Sequence, residues 1–78
     1  MPIKFTKHAL ERMKIRGISK EEIIEIINNP DKLTQDNQGN IIAQKLKKGY
    51  LFRVFYYKKE NSNFVITTYK TSKFEKYL

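Results

Sequence analysis

The sequence predicts a single α+β domain in which two N-terminal helices pack on a three- or four-stranded antiparallel sheet, followed by a short C-terminal helix. Three observations predict it. Two capped helical segments with apolar sides fill the stretch from Thr6 to Asn28; β-branched and aromatic runs fill 41–46, 50–57 and 64–69; and those runs are joined by hairpin-length connections, which require antiparallel pairing. The chain of 78 residues has room for one such domain and its core is modest.

Thr6 is a good N-cap, HALERMKIR reads as the helix it opens, and Gly17 supplies the left-handed position that ends it. Ala9, Leu10 and Met13 form the core side of this helix. His8, Arg12 and Arg16 are spaced i, i+4, i+8 and make a polar stripe along its edge. Ile15 falls opposite the core residues, so it is either docked under the second helix or part of a partner-binding surface. Ser19 and Glu22 form a capping box for that second helix. Ile23, Ile24, Ile26 and Ile27 give it a broad apolar face, while Glu21, Glu22 and Glu25 sit outside. It stops at Asn28-Asn29-Pro30, because the residue before a proline leaves the helical region.

From Asp31 the period changes. A short, weakly patterned strand is expected at 32–35, and the turn DNQGN at 36–40 leads into a strand at 41–46. Lys48-Gly49 makes a tight connection to YLFRVFYY at 50–57, and ENSN at 60–63 turns the chain into FVITTY at 64–69. Ser72 caps a last helical turn, KFEKYL. Within 50–57, Tyr50, Phe52, Val54 and Tyr56 form the uniformly apolar side and are the expected core face. Arg53 then points to the open face, unless the helices flank a concave cleft there. Tyr56, Tyr57 and Tyr77 read as core or cap residues.

Charge is the strongest compositional signal: sixteen Lys and Arg stand against eight Asp and Glu, a net charge of +8. A domain this basic attracts polyanions. The charge is also sided, since residues 41–59 hold Lys45, Lys47, Lys48, Arg53, Lys58 and Lys59 without an acid, whereas residues 19–31 hold Glu21, Glu22, Glu25 and Asp31 against Lys20 alone. With no cysteine there are no disulfides and no thiolate chemistry; one histidine gives no basis for a metal site, and no cofactor is expected. No apolar run is long enough to cross a membrane and MPIKF is not a secretory leader, so the expected location is cytoplasmic.

HALERMKIRGISKEEIIEIINNP near the N-terminus and VITTYKTSKFEKYL at the C-terminus resemble a family of small prokaryotic domains placed among the RelE/ParE-like toxins of toxin–antitoxin modules. The resemblance rests on His-Ala-x-x-Arg-Met-x-x-Arg-x-Ile and Thr-x-Tyr-Lys-Thr and covers about half the chain, with a basic hairpin between the two motifs. It implies two helices packed on a twisted antiparallel sheet. It also implies a metal-independent endoribonuclease, often acting on messenger RNA at the ribosome, with a small acidic antitoxin as partner. A non-catalytic nucleic-acid- or protein-binding module with the same fold is the alternative.

Metal-free RNA cleavage needs a base for the 2′-hydroxyl, cations for the phosphorane and an acid for the leaving oxygen. Histidine as a residue type can serve as base or acid near neutral pH, and guanidinium groups clamp phosphates bidentately. The expected catalytic set is therefore His8 as proton shuttle, Arg12 and Arg53 on the phosphate, and Tyr69 and Lys70 assisting. The expected RNA-binding cations are Arg16, Lys45, Lys47 and Lys48. Among them Arg53 is embedded among aromatics and held, whereas Lys47 is expected on a flexible stem in water, contributing only to the long-range field.

Overall fold

The computed structural model describes residues 2–78. Strand β1 (Ile3–Phe5) leads into helices α1 (Lys7–Arg16) and α2 (Lys20–Asn28), then strands β2 (Lys32–Gln35), β3 (Ile41–Lys47), β4 (Tyr50–Lys59) and β5 (Ser62–Thr71), and a single 3₁₀ turn at Glu75–Tyr77. The α+β class is as expected. The sheet is not: it has five strands in the order β1-β5-β4-β3-β2, and β1 runs parallel to β5. Three residues are too few to show a strand period, and β1 reaches β5 through both helices and three strands rather than through a hairpin. The C-terminal helix is reduced to the 3₁₀ turn, which Ser72 does not cap.

The helix boundaries follow the local chemistry. The backbone N–H of Ala9 donates to the Thr6 hydroxyl, and Gly17 ends α1 at φ +66°, a conformation that favours glycine. At α2 both bonds of the capping box form: the Glu22 N–H donates to Ser19 Oγ and the Ser19 N–H donates to the Glu22 carboxylate. Two-residue turns with positive φ at both positions, Lys48-Gly49 and Glu60-Asn61, join β3 to β4 and β4 to β5. Such turns match the right-handed twist of the strands they connect.

Both helices lie on one face of the sheet. Ala9 and Met13 of α1, Ile18, and Ile23 and Ile26 of α2 are buried against Ala43, Phe52, Val54, Tyr56 and Val65, with Ile3 and Phe5 of β1 packed beside them. Three residues placed on expected core faces are not inside, and Ile24 of α2 is one of them. Leu10 is exposed, and so is Tyr50, at the end of β4, where Lys70 rather than a helix lies over its ring. Ile15 is 71% exposed and docks under nothing. Among the described residues no helix is long and apolar enough to cross a membrane.

Candidate functional site

Side chains alternate across a strand, so the register decides which residues share the face turned away from the helices. One row across β2, β3, β4 and β5 is Lys32, Gln44, Arg53 and Tyr69; the next is Thr34, Ile42, Phe55 and Thr67. A bulge between Phe55 and Tyr56 leaves Ile66 unopposed and brings Tyr57 level with Phe64, which is level with Lys4 of β1. None of the five strands carries an Asp or Glu. The eight acids of the chain lie on the helices, in the turns and in the terminal segment.

Arg53 is the centre of this face. Its Nε donates to Gln44 Oε1 at 3.2 Å and its Nη1 to the Tyr69 hydroxyl at 2.7 Å. The guanidinium lies 4.3 Å from the ring centre of Tyr77, 5.4 Å from that of Phe55 and 5.8 Å from that of Tyr69. Gln44 is itself fixed, being buried and donating through Nε2 to the Tyr77 carbonyl at 3.0 Å. No carboxylate pairs with Arg53 among the described residues. Two of its N–H groups are committed to neutral partners, and the charge is left for an external anion. A planar fork held in this way suits a phosphate.

The two tyrosines beside Arg53 are pushed in opposite directions. Burial, with the neighbouring Tyr77 hydroxyl, raises the Tyr69 phenol above its ordinary range and outweighs the bond from Arg53. The neighbouring Tyr69 hydroxyl, aided by Lys76 and Arg53, lowers the Tyr77 phenol. Of the two phenols, Tyr69 is the more reluctant to lose its proton and Tyr77 the readier.

The other expected site residues lie elsewhere. His8 and Arg12 are on α1, in the helix layer, with His8 exposed and Arg12 half-buried. Arg16 closes the stripe by donating to the Thr68 carbonyl at 3.0 Å. Lys70 is adjacent to Tyr69 in sequence but faces the helix side, its ammonium 5.3 Å from the Tyr50 ring and 5.7 Å from the Phe52 ring. The structure thus brings Arg53 and Tyr69 together and leaves His8, Arg12 and Lys70 on the other side of the sheet. Lys45 and Lys47 also face the helices. Lys45 donates to the Asn29 carbonyl and pairs with Asp31 at 3.7 Å; Lys47, expected in water, is half-buried and paired with Glu25. Of the three hairpin lysines only Lys48, at the tip of the turn, is exposed.

Gln44 and Tyr77 complete the surroundings of Arg53, and sequence reasoning missed both. Gln44 carried a signal, as the polar interruption of the apolar strand IIAQKL. Tyr77 carried none, since its place depends on how the last segment folds back.

A family model described as a domain of unknown function (DUF4258) matches residues 5–70, from the end of β1 through both helices to Lys70 on β5. No curated protein and no solved structure matches the chain.

Proposed function

The chain belongs to the DUF4258 family, whose description states no activity, and from the residues themselves we propose that it is an RNA-acting protein, a metal-independent endoribonuclease with Arg53 as its phosphate clamp. The observation that carries this reading is the guanidinium of Arg53, held by Gln44 and Tyr69 and opposed by no acid anywhere on the strands. In this reading Tyr77 reacts as its phenolate: the 2′-oxygen attacks phosphorus while its proton passes to the Tyr77 oxygen. Arg53 holds the equatorial oxygens, and Tyr69 returns a proton as the bond from phosphorus to the 5′-oxygen breaks, leaving a 2′,3′-cyclic phosphate. His8 takes no part from the helix layer.

The proposal keeps the kinship with RelE/ParE-like toxins that the two end motifs imply. Two helices followed by four antiparallel strands support it, as does a net charge of +8 that an acidic partner protein would neutralise. Absence of any short acidic protein co-purifying with the chain would remove that part of the proposal.

Labelled RNA is incubated with the protein in EDTA, alone and with translating ribosomes. Cleavage with cyclic phosphate ends is expected, falling about 100-fold in Tyr77→Phe and little in His8→Ala, since proton-transfer groups contribute about 10²–10⁴. Intact RNA in both settings removes the nuclease. The second reading is a binding module without chemistry. It is favoured by the seating of Tyr77 itself, whose ring and carbonyl are both engaged at Arg53 and Gln44. Tight, salt-sensitive RNA binding without turnover decides for it.

A further inference from the structure

We propose that Tyr57, Phe64 and Lys4 form a stacking site for an unpaired RNA base, lying on the same sheet face as the phosphate position at Arg53. The proposal rests on the RNA reading above and adds a part of the ligand, the nucleobase, that Arg53 does not address.

Tyr57 and Phe64 stand opposite each other on β4 and β5, their ring centres 5.3 Å apart and their planes 13° from parallel. The pair makes a stepped plate, two offset rings partly stacked on one another, and both are half-exposed. Among the described residues the Lys4 ammonium lies over the Phe64 ring, and no helix packs on this side. The helices occupy the other face of the sheet, and the terminal 3₁₀ turn is seated over the Arg53 row.

The border of the plate is cationic. The Lys4 ammonium lies 5.7 Å from the Phe64 ring centre on an exposed stem, and Lys59 follows two residues after Tyr57. Glu60, in the hairpin turn, is the nearest acid along the chain; Asp36, in the turn between β2 and β3, is occupied by the N–H groups of Gln38 and Asn40. An aromatic stack bordered by ammonium groups that no carboxylate pairs among the described residues, on strands without Asp or Glu, fits a ligand with flat rings and a polyanionic backbone. Single-stranded RNA is that ligand, because its bases can leave their own stack and lie on aromatic rings while the backbone meets the cations.

The spacing sets how the strand lies. Tyr57 lies four residue steps beyond Arg53, about 13 Å along β4. One nucleotide cannot place its base on the plate and its own phosphate on Arg53 at that distance, so the two positions serve different nucleotides of one strand running along β4. Phe55, between them on the same face, lies under that path.

The test uses the full chain and a short fluorescent oligouridylate at low salt. Leucine keeps apolar bulk at both positions while removing the ring faces. Tyr57→Leu with Phe64→Leu is expected to weaken binding about 30-fold, within the range for base–aromatic stacking, and to leave the salt slope unchanged. Lys4→Met is expected to lower the slope by about one single-strand phosphate, roughly 0.7. A measurement on the unaltered protein guards against misfolding of the double variant. The Tyr57 and Phe64 ring protons should shift with oligouridylate and stay still with an abasic ribose-phosphate oligomer of equal length. Wild-type affinity in the double variant, or ring protons that respond equally to both oligomers, overturns the stacking site. If Arg53→Lys still weakens binding in that case, the RNA reading survives without it. Duplex RNA binding as tightly as the single strand also overturns the site, and no binding of wild-type protein to any RNA overturns both.

Discussion

Arg53 and Lys47 are cations on one hairpin, and their surroundings make them unequal. Arg53 is fixed by Gln44, Tyr69 and the Tyr77 ring without an acid partner, so Arg53→Lys keeps the charge and loses the fork. RNA affinity should fall roughly ten- to hundredfold, hydrogen bonds to charged groups being worth about 1.5–3 kcal/mol, with an unchanged circular dichroism spectrum. Lys47 is already spent on Glu25 and belongs to stability instead. The Lys47 bond and charge hold Glu25 below the usual carboxylate range, as the Ser19 backbone bond does for Glu22. A lowered folded pKa contributes stability that is present above the unfolded value and is lost as pH falls through the folded one. Urea midpoints measured against pH should therefore drop on the acid side in the wild type. Lys47→Ala should flatten that drop while leaving the salt slope of RNA binding nearly unchanged. A changed slope with an unchanged acid limb would put Lys47 back in solvent.

Elements defined by local chemistry are those that the sequence discloses. The cap at Thr6, the capping box at Ser19 and the Gly17 stop each bound a helix through bonds within a few residues, and α1 and α2 begin and end where those residues stand. Strand β1 has no such signal. Ile3 and Phe5 reach the core only because β5 offers a parallel edge about sixty residues later, so the strand exists through tertiary pairing alone. The site divides in the same way. Arg53 was legible because period two in YLFRVFYY puts it opposite the core residues, whereas the separation of Tyr69 from Lys70 depends on pairing with β4, and the seat of Tyr77 on a backbone fold-back. If β1 is a true member of the sheet, Phe5→Ala should cost about 2 kcal/mol, below the 3–5 kcal/mol of a fully buried phenylalanine because Phe5 is only partly buried. Ser19→Ala should cost about 1 kcal/mol. A thermal or urea melt in which Phe5→Ala matches wild type would mean that β1 adds nothing to the fold.

At the scale of the whole molecule the charge is sorted by layer. The helices carry cations, including the His8, Arg12 and Arg16 stripe with Lys7 and Lys14, but they also carry Glu11, Glu21, Glu22 and Glu25. The sheet face turned away from them carries Lys4, Lys32 and Arg53 with no acid on any strand. Net charge alone would let RNA meet either side, whereas the sorting favours the sheet, because there each phosphate meets cations without repulsion from neighbouring carboxylates. Two double variants of equal net charge separate these cases: Lys4→Gln with Lys32→Gln on the sheet, and Lys7→Gln with Lys14→Gln on α1. All four side chains are exposed, so neither pair disturbs packing. If RNA lies on the sheet, the first pair should reduce the salt slope by about 1.4, two single-strand phosphates' worth, and the second should change it little. The reverse order would place RNA against α1. The stripe of His8, Arg12 and Arg16 would then be the working surface, and Arg53 a structural arginine stacked beneath Tyr77.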